Sequence, residues 1–374
     1  MKVIEIDTND RRQVNAFLEL PFRVYRDLPN WTPPLQGEAR RMLDRRRNPY
    51  FKHSEAAFFM AVGPDGGAAG RLAVLDNRRY NDFNREQTAF FYLFECENRP
   101  DISQALFASA LEWACRRGRT CMWGPKGFSV FDGMGLLVKG FEHRPAFGIP
   151  YNPDYYPALI EGAGFEPAGD TVSGYLAGSC LLPEKIHRAS EIIQKRRGLT
   201  VTRFRTRREL RRILPNLQKL YNNSLEGTEG NVPLTGEEVR SLADQLLWFA
   251  DPRLIKILMK DGEPVGFLFA YPDISAALQR TRGRLFPVGW LHLLLELKRT
   301  RWININGAGI IEKYRGLGGT AILFSEMYKS VTEGGFEHAD LVQIGVENGN
   351  MQRELRELGI DFYKTHRLYR RNLL

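Results

Sequence analysis

The chain of 374 residues carries 53 Lys and Arg against 44 Asp and Glu, and 43% of its residues are hydrophobic. This length and apolar content predict two ordinary domains, each with its own core, and exclude a collagen-like or largely disordered chain. The most apolar stretch, 285–297, is shorter than a membrane-spanning helix, and residues 1–7 lack the apolar core of a signal peptide, so we expect a cytoplasmic protein.

The cysteines and the six histidines are scattered along the chain without the spacings of a metal site. We therefore predict no structural or catalytic metal, and we expect the thiols to be reduced. The cysteines are Cys96, Cys115, Cys121 and Cys180.

The first half of the sequence has the pattern of an α/β domain. Its predicted elements are a hairpin of strands 57–62 and 70–75 around the turn 63–67, a strand at 88–94, an amphipathic helix at 102–117 and a short helix at 155–163.

The second half repeats this order after a helix at 183–197 that ends at Gly198, a residue typical of helix C-termini. Its predicted elements are a hairpin of strands 254–260 and 264–271, a strand at 302–311, a helix at 320–333, a strand at 340–346 and a helix at 351–358. The order predicts an α/β fold of the α+β type with mixed sheets. We place the domains at 1–182 and 199–374, joined by a linker helix at 183–198.

Two features point to an anionic or apolar partner. Residues 195–212 and 45–47 are rich in Lys and Arg, and basic residues also surround the apolar part of an insertion at 275–301. The clusters fit solvated helix faces, the phosphates of a nucleotide cofactor, an anionic membrane surface or RNA; RNA fits least, because no interleaved aromatic motif occurs. The insertion fits a helix packed on the core, or a flap that covers an acyl chain or touches lipid.

The segment Tyr314–Thr320 lies between a predicted strand and a predicted helix and contains three glycines. Glycines in such a turn let backbone N–H groups converge on an anion, and the helix that follows directs the positive end of its dipole to the same place. A diphosphate fits this site without a metal. The spacing matches neither the GxxxxGK[ST] loop nor GxGxxG.

These residues resemble the GNAT acyltransferases, whose cofactor loop reads [QR]xxGx[GA] after the fourth strand. Thr320 stands where the family has a final small residue. The resemblance implies that acyl-CoA is the cofactor, as acetyl-CoA or a long-chain thioester. The residues that would bind it are Ile310, Ile311, Arg315, Gly316, Leu317, Gly318, Gly319, Thr320 and Asn348.

The rest of the GNAT pattern is followed only in part. Asn348 precedes a predicted helix, and Gly359 follows it eleven residues later, which is similar to the Asn and Gly-Phe of the family. Where many members carry a tyrosine general acid, this chain has Leu355. Tyr363, Tyr369 or water would then have to protonate the thiolate.

The first half resembles a GNAT domain that has lost its cofactor loop. After the strand at 88–94 comes Glu95-Cys96-Glu97-Asn98-Arg99-Pro100, which is acidic and lacks glycine, so it would repel a diphosphate. The segments 135–141 and 151–156 are similar to signatures of a bacterial tandem-GNAT group that includes the bacterial ceramide synthases. The resemblance thus implies two tandem GNAT-like domains, the N-terminal one degenerate.

The resemblance also implies direct attack of an amine on a thioester, which requires a base to remove a proton from the amine. Glu347 directly follows the strand at 340–346 and is the first candidate; it also fits an ordinary carboxylate near a helix start. Glu95 is the expected positional counterpart of Glu347 in the first half, at the end of its own strand, where it could bind or deprotonate an amine at the domain interface; it also fits a plain loop acid. His53 is a third candidate, because histidine titrates near neutral pH.

We expect an N-acyltransferase that moves an acyl group from acyl-CoA to a primary amine. The apolar insertion, the aromatic residues and the basic clusters favour a long-chain amino alcohol, which would give a ceramide-like amide, with the protein peripheral on the inner face of a membrane. A small amine with acetyl-CoA is the simpler choice. A Fem-like transferase that uses aminoacyl-tRNA and a non-enzymatic acyl-CoA or lipid sensor remain as alternatives.

Overall fold

The computed structural model of the chain describes residues 1–64, 66–129, 132–178, 184–224, 231–247 and 249–373. Asp65 of the first hairpin turn, Cys180, and Pro183 at the start of the predicted linker helix lie outside the described residues. In chain order the strands are β1 (Lys2–Glu5), β2 (Glu55–Val62), β3 (Ala68–Asp76), β4 (Thr88–Cys96), β5 (Cys121–Gly124), β6 (Leu136–Lys139), β7 (Glu166–Ala177), β8 (Leu199–Arg203), β9 (Ile255–Lys260), β10 (Glu263–Pro272), β11 (Trp302–Ile310), β12 (His338–Gly345) and β13 (Asp361–Asn372).

The helices lie between these strands. They are α1 (Arg11–Val24), α2 (Gln36–Leu43), α3 (Arg78–Asn84), α4 (Pro100–Cys115), α5 (Tyr156–Glu161), α6 (Glu184–Arg197), α7 (Arg207–Ser224), α8 (Gly236–Leu246), α9 (Ser275–Thr281), α10 (Gly289–Arg299), α11 (Gly319–Glu333) and α12 (Gly349–Glu357), with short 3₁₀ turns at Pro49–Lys52, Pro252–Leu254 and Glu312–Tyr314.

The chain divides into two compact units that are not continuous in sequence. Unit 1 comprises Met1–Val172, Ser275–Leu293 and Lys364–Leu374; unit 2 comprises Ser173–Ile274 and Leu294–Tyr363. The insertion therefore contributes α9 and the start of α10 to unit 1. The predicted domain ranges of 1–182 and 199–374 stay predictions, because compactness alone does not test which segments fold together.

Unit 1 is built on a mixed sheet with the strand order β1-β2-β3-β4-β5-β13. Strands β4 and β5 form a parallel pair, whereas the β1–β2, β2–β3, β3–β4 and β5–β13 pairs are antiparallel. The apolar face of α4 packs one side of this sheet through Leu106 and Phe107. On the other side α1 contributes Phe17, whose ring meets Phe58 edge to face at 5.7 Å.

Unit 2 repeats the arrangement with the strand order β8-β9-β10-β11-β12-β7. Here β11 and β12 form the parallel pair, while β8, β9, β10 and β11 are joined antiparallel. One face is covered by α11, through Ile322 and Leu323, and by α6, which packs Ile186 and Ile193 on the same core. Helix α7 and the region of α8 form a second core on the other face. The predicted α/β fold with mixed sheets is confirmed.

In each unit, the last strand of the sheet is distant in sequence from the strand that it pairs with. Strand β7 begins in unit 1, continues into unit 2 from Ser173 and has β12 of unit 2 as a hydrogen-bonded neighbour. Strand β13 begins in unit 2, continues into unit 1 from Lys364 and pairs with β5 through residues 369–372. Sequence analysis did not predict this exchange, since pairing between distant segments leaves no local signal.

Both units bulge at the same place in the fourth strand. The flanking registers are Ala73↔Tyr92 and Arg71↔Glu95 in unit 1, and Ala270↔Ile305 and Leu268↔Ala308 in unit 2. Each fourth strand thus carries one extra residue, which re-aims its end. This register equates Glu95 with Ala308 of β11, a different position from Glu347, which follows β12.

Candidate functional site

The parallel strands of unit 2 are paired at their start and unpaired at their end. The register between β11 and β12 runs from Trp302↔His338 to Ile305↔Leu341, whereas β11 continues to Ile310 and β12 to Gly345. We call the unpaired ends, 306–310 and 342–345, the fork. Because parallel strands end at the same edge of a sheet, the fork opens toward the loops that follow both strands.

Two irregular residues mark the fork. Gly307 of β11 has φ 114°, and Gln343 of β12 has φ 42°. The Gln343 N–H points away from β11, since it donates to Ser173 Oγ of β7 at 3.3 Å. Gly307 and Ala308 are exposed. A slender molecule can therefore approach the main chain of β11 along the fork.

The glycine-rich turn begins directly beyond this strand and ends in α11. Gly316 and Gly318 both adopt left-handed conformations, with φ of 69° and 83°, and Gly318 is the N-cap of the helix. The N–H of Ile322 donates to the Gly318 carbonyl, so the N–H groups of Gly319, Thr320 and Ala321 precede the hydrogen-bond ladder of the helix. Such a group of N–H donors at a helix start is a site for an anion.

The three positions of the turn require glycine for different structural reasons. A Cβ at Gly316 would meet nothing within 4 Å, so this residue borders open space. A Cβ at Gly318 would lie 2.6 Å from Ile193 of α6, and one at Gly319 would lie 2.9 Å from both Leu258 and Ile310. Gly318 and Gly319 thus let the helix start pack closely on the core, while Gly316 keeps the turn open.

Arg315 holds the turn in place through its side chain. Its Nε donates to the Ile310 carbonyl at 3.1 Å, and its Nη2 donates to the Ser224 carbonyl at the end of α7 at 3.0 Å. The guanidinium therefore joins the end of β11 to α7. This contact gives Arg315 a positioning role in addition to its positive charge beside the turn.

The strand-end isoleucines serve the fold as well. The Ile311 N–H donates to the Val265 carbonyl at 2.9 Å, so this amide is already engaged in unit 2. The side chain of Ile310 packs on the core and lies beside Gly319. Their predicted contact with the cofactor stays a prediction.

Glu347 and Asn348 lie on the turn between β12 and α12, at the open edge of the fork. Both residues are exposed. The Glu347 carboxylate lies over Gly345, where a Cβ would collide with it. The Asn348 side chain caps α12 by accepting from the Met351 N–H at 3.2 Å, and Gln352 Nε2 donates to the Gly345 and Val346 carbonyls. The turn is thus held rigidly, with a carboxylate beside the strand end.

Sequence reasoning missed a row of buried or half-buried polar side chains at the base of the fork. We call this row the file; it consists of Tyr271, Asp273, Asn304, Asn306 and Asp340. Asn304 is 1% exposed and donates through Nδ2 to Asp273 at 3.0 Å; it is also the register partner of Asp340, which is 2% exposed. Asn306 donates to the Tyr271 hydroxyl at 2.9 Å. Burial raises the pKa of Tyr271, and the hydrogen bond from Asn306 offsets part of that rise.

The file combines two carboxylates, two amides and a phenol on the face of the sheet that α11 does not cover. Such groups can bind a cationic amine or exchange a proton with it. The sequence itself indicates part of this polar row. Asn304 and Asn306 alternate with Ile303 and Ile305 in a strand that is otherwise apolar. Only the tertiary structure adds the residues from β10 and β12.

Tyr363, a candidate for the general acid, lies away from the fork edge. Leu355 is 1% exposed and belongs to the core of unit 2. The Tyr363 ring lies 6.0 Å from Tyr175, whose hydroxyl is 2.7 Å from His338 Nδ1 at the amino end of β12. Glu347 follows the other end of this strand, roughly 20 Å away at the rise of a β-strand. The role of Tyr363 as an acid stays a prediction.

Glu95 is part of a closed network in unit 1. Its carboxylate accepts from the Tyr156 hydroxyl at 2.8 Å, lies 3.4 Å from Arg71 Nη2 and is also hydrogen-bonded by Tyr25. Its side chain is 13% exposed. Burial raises the pKa of Glu95, whereas the Arg71 charge lowers it. These contacts are typical of a structural carboxylate, and the predicted role toward an amine stays a prediction.

His53 ends the short 3₁₀ turn at Pro49–Lys52 in unit 1. Its Nδ1 is 2.7 Å from Ser54 Oγ, and its ring lies 5.8 Å from the buried Tyr50 ring. These contacts describe a packed histidine, and its predicted role as a base remains untested.

Metal-binding clusters and membrane-spanning helices are both absent from the described residues. In the ranges given above, no group of three or more His, Cys, Asp or Glu side chains could hold a metal ion. Within the same ranges, none of the helices is both long and apolar enough to span a bilayer.

Comparison with known proteins agrees with this architecture. The chain is similar to the bacterial ceramide synthase of Caulobacter vibrioides, with 28% identity over 371 residues that cover 96% of this chain and 95% of the relative. It is also similar to the protein YghO of Escherichia coli, with 25% identity over 370 residues that cover 97% and 94%. A solved tandem GNAT protein from the clavulanic acid biosynthesis pathway superposes with a TM-score of 0.58 at 13% identity, covering 100% of this chain and 98% of that one. No family model matches the sequence.

The fold and the fork define the class: the chain has the tandem GNAT fold. Within that class, its similarity to the bacterial group that includes the ceramide synthases is confirmed over nearly the whole chain. The findings together support an acyltransferase of the GNAT type.

Proposed function

We propose that the protein transfers an acyl group from acyl-CoA to a primary amine. The observation that carries this proposal is the open glycine-rich turn of unit 2, set between the fork and the start of α11. The turn offers N–H donors, a helix dipole and the Arg315 charge to a diphosphate, and the fork offers an unpaired strand edge to the pantetheine arm.

The chain contributes binding, orientation and proton transfer to this reaction. Main-chain amides of β11 in the fork are suited to polarise a thioester carbonyl. Acyl-CoA, when bound, supplies the activated acyl group. Thr320 stands at the second position of α11, where its N–H, and its hydroxyl too, can donate to the diphosphate.

Glu347 is the base that we propose for the amine, directly or through water. It stands at the fork edge, and its exposure leaves it free to exchange protons with solvent. The buried file of Asp273, Asn304 and Asp340 would stabilise the ammonium form of the amine on the way in. We propose that water protonates the thiolate, because the position of the usual tyrosine acid is taken by Leu355, which is buried in the core.

For the acceptor we propose a long-chain amino alcohol, which would give a ceramide-like amide. The similarity to a relative named bacterial ceramide synthase supports this choice, as do the exposed apolar side chains of the insertion at 275–301. A small polar amine with acetyl-CoA remains the competitor. Thiol release from acetyl- and long-chain acyl-CoA, each with a small amine and with a long-chain amino alcohol, separates the two.

The diphosphate site is tested by a pair of variants at Gly316. Asp and Asn are nearly equal in size, and both tolerate the left-handed conformation of this residue. We expect Gly316→Asp to weaken CoA binding about 100-fold in calorimetry, because a carboxylate enters the space for the diphosphate, a loss of about 2.7 kcal/mol. Gly316→Asn should cost far less. Equal affinity of both variants and the wild type would remove the basis of the proposal.

The chemistry is tested separately by Glu347→Gln. We expect thiol release to fall by about 10²–10⁴ while CoA affinity stays unchanged, which is the range for loss of a general base. Glu357→Gln, an exposed carboxylate on α12, is the matched control. CoA binding without thiol release for any amine would favour the acyl-CoA sensor, and no CoA binding with activity on aminoacyl-tRNA would favour the Fem-like transferase.

A further inference from the structure

The insertion exposes a group of large apolar side chains. It runs through α9, a connection at 282–288 and α10. Phe286 is 82% exposed, and Val288 59%. On α10 the exposed fractions are 49% for Trp290, 46% for Leu291, 47% for Leu294 and 38% for Leu295. Single exposed apolar residues are common, but a contiguous group marks a contact surface.

The helix turns its apolar side outward. Trp290, Leu291, Leu294 and Leu295 follow the spacing i, i+1, i+4, i+5, which places them on one face. Leu293 on another face is 1% exposed. A surface helix of a globular protein normally shows the reverse pattern, with polar residues outward. We call Phe286, Val288 and the four α10 residues the apolar ridge.

Polar contacts fix the start of the insertion, which precedes the ridge, on unit 1. Gln279 Nε2 donates to the carbonyls of Pro29 and Trp31 at 2.8 and 2.9 Å, and the Gln36 N–H donates to the Gly283 carbonyl at 2.9 Å. The part of the ridge that belongs to unit 1, from Phe286 to Leu291, therefore lies on a segment that is docked on that unit.

One polar group of the ridge is already satisfied. The Trp290 indole N–H donates to the Pro287 carbonyl at 3.0 Å. An indole whose N–H is bonded inside the protein can enter an apolar medium without losing a hydrogen bond to water.

Basic residues bracket the ridge. Between 280 and 301 the sequence has six Lys or Arg and one acid, Glu296. All six are exposed. Arg282 also stacks over Phe22 at 4.8 Å, and Arg284 lies 3.8 Å from Glu19, which holds both near the base of the ridge. The six are Arg280, Arg282, Arg284, Lys298, Arg299 and Arg301.

We infer that the apolar ridge inserts into the headgroup region of a membrane that carries anionic lipids, with the basic residues on the lipid phosphates. Apolar side chains on one helix face, flanked by Lys and Arg, are the composition that lies in a bilayer interface. Charge decides against a second copy of the chain as the occupant, since two such surfaces would repel each other. The inference does not depend on the acyl transfer proposed above.

The test is co-sedimentation of the full chain with vesicles. One set contains phosphatidylcholine alone, and the other contains phosphatidylcholine and phosphatidylglycerol at about 7:3. We expect binding to the anionic set, weakened by high salt as screening requires. The double variant Phe286→Ser/Trp290→Ser should bind at least tenfold more weakly. Phe83→Ser/Ile192→Ser, which removes two side chains of 56% and 50% exposure elsewhere, should bind like the wild type.

Three results would overturn the inference. The first is equal binding by the two double variants, and the second is equal binding to both kinds of vesicle. The third is a ridge variant that changes only self-association in sedimentation velocity, which would make the ridge a contact between copies. CoA affinity and thermal unfolding of each variant, measured in parallel, show that a loss of vesicle binding arises neither from misfolding nor from a damaged cofactor site.

Discussion

The ends of the two fourth strands, β4 in unit 1 and β11 in unit 2, have the same bulge and opposite chemistry. Beyond β11 the turn has glycines in left-handed conformations and N–H groups that precede the helix ladder. At the last residue of β4 the main chain is occupied: the Tyr156 hydroxyl accepts from the Cys96 N–H at 3.0 Å, and the Tyr155 hydroxyl donates to the Cys96 carbonyl at 2.9 Å. One strand end is open to a ligand, and the other is closed by the protein itself.

The helices that follow these strands, α4 and α11, also differ in how open their first turns are to an anion. Helix α4 has Pro100 in its first turn, which lacks an N–H, and Asp101 follows as a carboxylate that pairs with Arg99 at 2.6 Å. The positive end of the α4 dipole is therefore met by the chain's own acid. With the same bulge in the fourth strand, unit 1 therefore fills with its own side chains the place that unit 2 leaves open to an anion.

The largest effect that we expect tests the closed end. Glu95→Ala should lower the free energy of unfolding by about 3–5 kcal/mol, because it leaves the buried Arg71 without its carboxylate partner. Urea denaturation measures this. Glu347→Ala, at the open end, is the control and should change stability by at most about 0.5 kcal/mol. Similar losses in both variants would contradict the contrast between the two ends.

A ligand should sharpen the comparison at the open end. With CoA at about 100 times its dissociation constant, the protein should gain about 2.7 kcal/mol of stability. We expect amide hydrogen exchange to slow at 316–321, at the start of α11, while 97–103, at the start of α4, is unchanged. Exchange that slows equally at both helix starts would mean that unit 1 also binds CoA.

The sequence was sufficient for the parts of this contrast that are local. The three glycines of the turn and the acidic loop after β4 predicted which unit has an open glycine-rich turn before its helix, because turn chemistry is encoded in neighbouring residues. The closure of β4 could not be predicted in this way. Tyr155 and Tyr156 lie about sixty residues along the chain from Cys96, and only the fold brings their hydroxyls to it.

The same limit applies to the base of the fork and to the exchanged strands. Asn304 could be noticed as a polar residue in an apolar strand, but its partner Asp273 comes from the end of β10. Strands β7 and β13 carry no local mark of the sheet that they join, because strand pairing is decided by which edge is available. Glu95 was a reasonable candidate for chemistry on sequence position, and its three side-chain partners become visible only in the structure.

A smaller effect separates the two tyrosines that close unit 1. Tyr156→Phe should cost about 1–3 kcal/mol in urea denaturation, because it leaves the buried Cys96 N–H without an acceptor and removes a donor to Glu95. Tyr155→Phe removes one hydrogen bond to a carbonyl and should cost about 0.5–1.5 kcal/mol. A larger loss of stability in Tyr155→Phe would contradict this ranking. It would mean that the hydrogen bond to the Cys96 carbonyl contributes more than the one from the Cys96 N–H.

The smallest effect concerns the acidic loop itself. Glu97 is 41% exposed and pairs with Arg23 at 2.9 Å, an exposed pair worth at most about 1 kcal/mol. If charge repulsion alone kept CoA out of unit 1, Glu97→Gln would let a second equivalent bind, and calorimetry would show a stoichiometry near two. We expect one equivalent with unchanged affinity, because the tyrosine hydroxyls already hold the main-chain groups that a diphosphate or a pantetheine arm would need. Removing the charge leaves these hydrogen bonds to Cys96 intact, so we expect unit 1 to stay closed to CoA in this variant.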